Sequence, residues 1–324
     1  MRTLRQIAVL ILAAAIFICF DLSIYFLITR RCESDVSLEM RRQGIELSSY
    51  LPFDEDSRAV TVDSSIRMTD DLPVLDGAAA LYPVFSAVAG SLYPEGCCEF
   101  DGERFAPGSA LQFRNTLRAY KAVADGDADV IFCAAPSEAQ LDYAKSVGAE
   151  LVLVPIGYEA FVFIVNENNP VDDLTVDEIR GIYTGEITNW AEVGGADRMI
   201  DPKTRLEGSG SQTVMEAFMH GEEMRPRPFG FLGASIGYSF RYYVEEVPRE
   251  DSVKILSVGG VSPTRDNIRD GSYPIVCSFY AVYRSDNKNP NVPILIDWLL
   301  SPEGQRLIES NGYVSVGDTE DGIS

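Results

Sequence analysis

The sequence predicts an α/β fold with a largely parallel sheet. From Asp70 onward, short apolar runs that suit buried strands alternate with segments whose apolar residues recur at helical spacing. Two capping boxes, Ser137-x-x-Gln140 and Thr175-x-x-Glu178, mark helix starts within this alternation. Such alternation is typical of α/β proteins, in which ligands bind where the carboxyl ends of strands meet helix N-termini.

The predicted elements follow one another without an internal repeat. Apolar runs bounded by turn residues predict strands over 72–75, 130–134, 151–155, 160–165, 254–258 and 275–283. Helical spacing and helix-start residues predict helices over 78–89, 116–124, 175–183, 212–219, 293–300 and 304–310, with a further helix opening at Ser137. The charged stretch before them, residues 30–68, is predicted as a linker that contains a short helix over 34–47.

Charge and histidine content exclude several functions. The 324 residues carry a formal charge of −22, with 49 acidic against 27 basic side chains. So acidic a chain argues against binding nucleic acid or anionic lipid, and any anion site must act at short range. The single histidine, His220, argues against most triad chemistry and histidine-based metal sites. We expect no enzymatic activity, no metal and no cofactor. The sequence does not decide whether the adjacent Cys97 and Cys98 take part in a disulfide.

The N-terminal segment predicts a single-pass membrane anchor. Ile7 to Thr29 carry one charge, Asp21, and the run is long enough to cross the hydrocarbon core of a bilayer. Residues 1–6 would then form a short cytoplasmic N-terminus. The alternative is a cleaved signal peptide with its cleavage site in the alanine run 13–15, although the apolar stretch before that run is short.

Two glycine-containing stretches could present backbone N–H groups to an anion. The first, Asp76-Gly77-Ala78-Ala79-Ala80, opens a predicted helix with small residues, so the amides of Ala79 and Ala80 could approach a ligand closely. The alternative is a helix packed tightly on its sheet, with Gly77 as a turn. Thr116 could add one hydroxyl at another helix start, where an ordinary cap is the alternative.

The second stretch runs from Arg205 through Ser209, Gly210 and Ser211. Glycine lets the chain bend and expose N–H groups, the two serines add hydroxyl donors, and Arg205 adds a guanidinium fork suited to an oxyanion. Glu207 could accept the proton of a protonated oxyanion or hold Arg205 in place. The alternative is a serine-capped helix after a flexible loop. The stretch matches neither a P-loop nor a nucleophile elbow.

The middle of the chain resembles a known family. The run Gly157 to Asn166 is followed by Asn169-Pro170-Val171 and by the segment 182–190, which ends in Thr188-Asn189-Trp190. Together with the motifs at 193–195, 236–238 and 267–274, these residues resemble the phosphate-binding subunit of phosphate ABC importers, a periplasmic solute-binding protein of type 2. The resemblance covers about residues 70–316.

This resemblance implies two α/β lobes joined by two chain crossings that close on ligand like a hinge. One lobe would comprise residues 69–156 plus 263–324, and the other 157–262. Ligand would lie between the helix start at Ala79 and the loop at Ser209. The resemblance further implies a monomer outside the cytoplasm that passes phosphate to an ABC permease. The count of flanking arginines, taken alone, favours the opposite orientation.

Two departures from the family pattern weaken the predicted site. Alanines 78–80 stand where family members that bind phosphate usually have serine or threonine. Ala134 and Ala135 occupy the region that usually holds an acid, and Glu138 is the nearest one. Each lost charged hydrogen bond could remove about 1.5–3 kcal/mol of binding energy. A membrane-tethered sensor or interaction protein that has lost tight phosphate binding is therefore the alternative function. A phosphatase is disfavoured, because the sequence offers no activated nucleophile.

Overall fold

The computed structural model describes residues 6, 16–23, 45–225, 233–245 and 252–317. Residues 16–23 are helical, whereas the rest of the predicted anchor, 7–15 and 24–29, lies outside the described residues. Within these ranges, no helix combines the length and the apolar character that a membrane span needs. The predicted helix over 34–47 lies almost entirely outside the described residues.

From residue 45 onward, the described residues form ten strands and nine α-helices, which are labelled in chain order. The strands are β1 Leu75–Gly77, β2 Val130–Ala134, β3 Leu151–Asn166, β4 Asp173–Leu174, β5 Ile200–Pro202, β6 Ala234–Phe240, β7 Val253–Ile255, β8 Ser257–Val258, β9 Val276–Arg284 and β10 Val314–Ser315. The helices are α1 Tyr82–Leu92, α2 Asn115–Asp125, α3 Glu138–Ser146, α4 Val176–Thr184, α5 Gly210–Phe218, α6 Arg241–Glu245, α7 Arg265–Arg269, α8 Asn291–Leu300 and α9 Pro302–Ser310. This alternation of strands and helices confirms the predicted α/β class.

Local sequence signals place the helix starts well. Both predicted capping boxes form, so Ser137 caps α3 and Thr175 caps α4. The helix predicted over 78–89 is wrong at its start, because residues 79–81 form a 3-10 turn and α1 begins at Tyr82. Pro83 explains the shift: proline lacks an N–H and is favoured in the first turn of a helix, where that donor has no partner.

The main sheet is mixed, so the prediction of a largely parallel sheet is wrong. Its order is β1-β2-β9-β3-β6-β5, with β7 and β10 also pairing with β3. Among the described residues, the pairs β1–β2 and β5–β6 of this sheet are parallel, whereas β3 pairs antiparallel with β6, β7, β9 and β10. The reason is that β9 returns directly alongside β3, in a pairing between residues distant in sequence.

Strand β3 is continuous where two strands, 151–155 and 160–165, were predicted. Its first half pairs with β9 and its second half with β6, and the register shifts between Pro155 and Gly157. The ring of Phe279 packs directly against Gly157, because a Cβ at residue 157 would lie only 2.4 Å from Cζ of Phe279. A side chain at residue 157 would therefore push the two strands apart.

Two large hydrophobic cores lie along the two halves of β3. The first core contains α1, α8 and α9 against β1, β2 and β9, and the second contains α4 and α5 against β5, β6 and the second half of β3. Ile268, Tyr273 and Ile275 pack in the second core. Residues 264–275 thus belong with the second core, whereas the sequence places the change of lobe after residue 262.

The predicted linker 30–68 is wrong in its second half, because residues 45–68 pack against the first core. Tyr50 is 1% exposed and Met68 is 5% exposed. The hydroxyl of Ser86 on α1 donates to the carbonyl of Tyr50, and the backbone N–H of Val60 donates to Oδ1 of Asn311 at 2.9 Å. Ile45, Tyr50, Ala59 and Met68, which follow no regular spacing, are buried in the first core.

Candidate functional site

A cavity of about 900 Å³ lies between the elements of the two cores. Its wall includes every residue that the sequence singled out as a ligand-binding candidate: Ala79, Ala80, Thr116, Arg205, Ser209, Gly210 and Ser211. These residues come from the turn after β1, the start of α2 and the start of α5. The structure thus brings three separated stretches of chain to one space.

The wall after β1 is small and tightly held. A Cβ at Gly77 would lie 2.5 Å from the carbonyl oxygen of Phe132, which explains the glycine by close backbone approach. The N–H of Ala79 lies 3.5 Å from Oδ1 of Asn115, the limit of a hydrogen bond. Because α1 begins at Tyr82, Ala79 and Ala80 lie in a 3-10 turn and not at the start of an α-helix. The helix dipole therefore favours an anion at the amides of Ala79 and Ala80 less than the sequence predicts.

Thr116 lies in the first turn of α2. Asn115 adopts a positive φ of 62°, and its side-chain Oδ1 accepts from the N–H of Thr116 at 2.8 Å. Asparagine tolerates this conformation better than most residues. The residue at the N-cap position of α2, Arg114, makes no side-chain cap hydrogen bond, and Thr116, itself buried, lines the cavity.

Helix α5 begins at the second predicted stretch. Ser209 is its N-cap, with Oγ accepting from the N–H of Gln212 at 3.3 Å, and Gly208 adopts the φ of +75° that the preceding turn requires. Accepting this bond does not use the hydroxyl proton of Ser209. The first N–H groups of a helix have no partner within the helix, and the N-terminus carries partial positive charge. The serine-capped helix and the anion site are therefore compatible descriptions of one structure.

The backbone of Arg205 is fixed by the second core. Its N–H donates to Oε1 of Gln212 at 3.0 Å and to the hydroxyl of Tyr238 at 3.1 Å, and the Tyr238 hydroxyl also contacts Gln212. Tyr238 is buried, and burial raises its pKa to about 12, so it remains protonated. This network places Arg205 on the cavity wall beside the start of α5.

The two sides of the cavity already touch at this end. Nε2 of Gln140, on α3, donates to the carbonyl of Gly208 at 3.1 Å. A Cβ at Gly210 would lie 3.6 Å from Oγ1 of Thr116 and 3.7 Å from Cβ of Ala134. The loop 208–210 therefore packs against α2, α3 and the end of β2, which are elements of the opposite side.

The cavity also contains charged residues that sequence reasoning missed. Arg114, Arg118 and Lys203 lie on its wall together with Arg205, and the carboxylates of Glu159 and Glu207 also lie there. Two of these four cations are paired with carboxylates outside the wall, Arg114 with Asp76 and Lys203 with Asp201. In a chain of net charge −22, the wall therefore brings several cationic groups together, two of which are already neutralised.

Arg114 is held by a fully buried carboxylate. Oδ2 of Asp76 lies 2.6 Å from Nη1 of Arg114, and Oδ1 accepts from the N–H groups of Gly77 and Arg114, both at 2.8 Å. Burial raises the pKa of Asp76, and the adjacent guanidinium opposes that rise. Asp76 opens the stretch 76–80 that the sequence singled out, and Arg114 lies two positions before Thr116, but the sequence analysis assigned a role to neither side chain.

A buried ion pair lies where β3 and β9 run side by side. Glu159 accepts from Nε of Arg241 at 3.1 Å and from the N–H groups of Ala160 and Tyr242. Burial raises the pKa of Glu159 to about 7, and the Arg241 guanidinium and the two N–H groups oppose that rise. Nη2 of Arg241 also donates to the carbonyl of Gly312, so this pair joins β3, α6 and the chain before β10.

Two residues considered in the sequence have no place in the centre of the site. Glu207 is exposed at the cavity wall, and His220 lies beyond α5 and is not part of that wall. Among the described residues, no cluster of three histidine, cysteine, aspartate or glutamate side chains is arranged to hold a metal ion.

Comparisons with known proteins indicate the family to which the chain belongs. Residues 110–303 match the family model described as a PBP superfamily domain. The phosphate-binding protein PstS of Bacillus subtilis is 26% identical over 258 residues, which cover 75% of this chain and 80% of that protein. PstS of Borreliella burgdorferi is 27% identical over 179 residues, and this match spans 49% of this chain and 64% of that protein, just under two thirds of its length.

Solved structures show the same fold. A phosphate ABC transporter substrate-binding protein from Clostridium perfringens, solved with bound phosphate, superposes with a TM-score of 0.56 at 26% identity, over 75% of this chain and 98% of that one. A phosphate transport receptor from Vibrio cholerae, at 22% identity and a TM-score of 0.52 over 76% of this chain and 99% of that one, shares the fold. The chain belongs to the PBP superfamily, with the type 2 α/β fold, as a divergent member of the non-enzymatic PstS-like binding proteins.

Proposed function

We propose that this protein is an extracytoplasmic solute-binding protein that holds phosphate or a related small oxyanion for an ABC importer. The observation that carries the proposal is the meeting of the Arg205–Ser211 loop with Thr116 across a cavity whose charged side chains are mostly cationic. The names of the PstS relatives and of the Clostridium perfringens structure support phosphate as the ligand and ABC transport as the purpose.

In this proposal the oxyanion sits at the N-terminus of α5. The amides of Gly210 and Ser211, the hydroxyls of Ser209 and Ser211 and the guanidinium of Arg205 surround it from one side. Thr116 and Arg114 approach from the other. Arg114 offers more N–H donors than its bond to Asp76 uses, since a guanidinium carries five. It therefore compensates for the hydroxyls that Ala79 and Ala80 cannot supply.

The two cores act as two lobes in this mechanism. The first lobe comprises 45–156 and 276–317, and the second comprises 157–275, with β3 and β9 as the crossings. Rotation about these crossings opens and closes the cavity on ligand. The N-terminal segment 7–29 anchors or directs the chain to the membrane, and the binding lobes work as a monomer beside the permease.

The alternative is a membrane-tethered sensor or interaction protein on the same fold. The alanine wall at 78–80 favours it, because a weakened site suits a protein that reports on its ligand more than one that captures it at low concentration. Ligand affinity separates the two proposals.

Calorimetric titration of the full-length chain with phosphate, in mild detergent at pH 7.5, tests the proposal. We expect Kd in the micromolar range or below, and loss of binding in Arg205→Ala. The matched control is Arg198→Ala, an exposed arginine of the same side that does not line the cavity. Absence of phosphate, sulfate and arsenate binding at millimolar concentration would refute the oxyanion site.

A further inference from the structure

A buried hydrogen bond joins the two lobes beside the cavity. Nε2 of Gln140, on α3, donates to the carbonyl of Gly208 at 3.1 Å, and both residues are buried. Neither residue lines the cavity. Gly208 directly precedes Ser209, the N-cap of α5, so this bond holds the loop that carries the proposed oxyanion donors. Gln140 therefore acts on that loop without contacting the ligand.

The donor and the acceptor of this bond belong to different lobes. Ala144 of α3 packs with Ala124 of α2, so α3 is attached to the first lobe. Helix α5 packs in the second core, where Met215 is fully buried. Any rotation that moves α5 away from α3 must therefore break the bond from Gln140 to Gly208.

The side-chain amide of Gln140 has a partner at each end. Its Oε1 accepts from the N–H of Ser137 at 2.8 Å, within the capping box of α3, while its Nε2 is directed at Gly208. A rotated amide would set its NH2 group against the N–H of Ser137 and its oxygen against the carbonyl of Gly208, so both contacts fix the same orientation. The capping box therefore preorganises the donor, which loses little side-chain entropy when the lobes close.

Close packing at Gly208 supports the hydrogen bond. A Cβ at Gly208 would lie 2.9 Å from Cδ1 of Leu117, so a side chain of α2 occupies the space that a larger residue would need. Gly208 also has a φ of +75°, which disfavours any residue with a side chain at this position. Glycine thus lets the first lobe approach closely enough for Gln140 to reach the carbonyl.

We propose that Gln140 is a latch between the lobes: it positions the loop at the start of α5 and slows the release of a bound oxyanion. Release requires the lobes to separate, and separation breaks the bond to the carbonyl of Gly208. One neutral hydrogen bond corresponds to about a threefold to tenfold change in a rate constant. This inference rests on the two-lobe mechanism of the proposed function and adds a positioning residue, outside the cavity wall, that sets the lifetime of the complex.

Dissociation of radiolabelled phosphate from the full-length chain, in mild detergent, tests the latch. Methionine is similar in length to glutamine but has no N–H donor. We therefore expect Gln140→Met to release phosphate about threefold to tenfold faster without slower association, whereas a variant with a damaged site would associate more slowly. The matched control is Ser137→Ala, which removes the hydroxyl cap of α3 but keeps both contacts of the Gln140 amide. Its dissociation rate should stay within about twofold of the wild type, since the latch is intact.

Hydrogen exchange of the full-length chain without phosphate gives a second measurement. Peptides covering residues 203–213 should exchange about threefold to tenfold faster in Gln140→Met and in Gln140→Glu than in the wild type. Gln140→Glu serves should Gln140→Met fail to fold, because glutamate keeps the capping box and lacks the donor. With no anion present, its added charge cannot act by repelling the ligand.

The outcomes separate the latch from the proposed function. Unchanged phosphate release in Gln140→Met, or equally fast release in Ser137→Ala, overturns the latch and leaves the proposed function intact. Absence of phosphate binding to the wild type overturns the proposed function. Hydrogen exchange then decides the latch alone: faster exchange of residues 203–213 in the Gln140 variants supports it, and unchanged exchange overturns it.

Discussion

Replacing Glu159 by glutamine should change how stability depends on pH. Burial raises the pKa of Glu159 from 4.5 to about 7, so the folded protein holds a proton that the unfolded chain releases. Folding is therefore coupled to proton uptake by Glu159. The stability that this uptake provides falls as pH rises from the pKa of the unfolded chain, 4.5, towards the pKa of the folded protein, about 7. Applied to pH 5.5 and pH 8, the linkage relation gives a decline of about 2 kcal/mol.

Glutamine does not titrate, so the difference between the two proteins isolates this group. We expect the unfolding free energy of the wild type to fall by about 2 kcal/mol relative to Glu159→Gln between pH 5.5 and pH 8. A constant offset accompanies this change, because the glutamine amide offers Arg241 one acceptor oxygen where the carboxylate offers two. Cys277 and Tyr313 near Glu159 do not titrate in this window, since burial raises the pKa of both groups further above neutrality.

Urea unfolding at several pH values measures this difference, with the fluorescence of Trp190 and Trp298 reporting on the second and first cores. Measurements begin at pH 5.5, above the sequence pI of about 4.4, because the protein has almost no net charge near its pI. A difference that stays constant across the range would show that Glu159 is ionised throughout. The contacts with Arg241 and the backbone would then offset burial completely, and the reasoning would be wrong.

Three further changes test the packing and the site. Deleting residues 45–68 should destabilise the first core by about 3–6 kcal/mol, since Tyr50 and Met68 are buried there and each such side chain contributes about 1.5–3 kcal/mol; thermal melting followed by circular dichroism measures it. Gly157→Ala should cost about 1–3 kcal/mol of unfolding free energy in urea, because its Cβ has no room beside Phe279. Arg114→Gln should weaken phosphate binding about tenfold to a hundredfold in calorimetry, the equivalent of one charged hydrogen bond.

The parts of the fold that depend on neighbouring residues could be predicted from the sequence. Ser137 and Thr175 cap helices because the capping box needs only residues three positions apart. The loop from Arg205 to Ser211 could be recognised for the same reason, since its donors are consecutive. Pro83 could have corrected the start of α1, because its place in a first turn is also a local rule.

Contacts between distant residues could not be predicted in this way. The antiparallel return of β9 beside β3 joins residues far apart in the chain and turns a parallel sheet into a mixed one. Asp76 and Arg114 are 38 positions apart, and neither residue alone indicates an ion pair at the cavity. Residues 45–68 were predicted as a linker because their apolar side chains recur with no regular period. Their burial depends on contacts with distant residues of the first core.

The first core is formed by two stretches of chain that are separated in sequence by the second core, and this affects folding during synthesis. Helix α1 leaves the ribosome early, yet α8 and α9, which cover it, are made only after the whole segment 157–275. The second core is nearly continuous in sequence and can form while synthesis proceeds. The amino-terminal half of the first core therefore stays incomplete until α8 and α9 are made, with its apolar face exposed on the nascent chain.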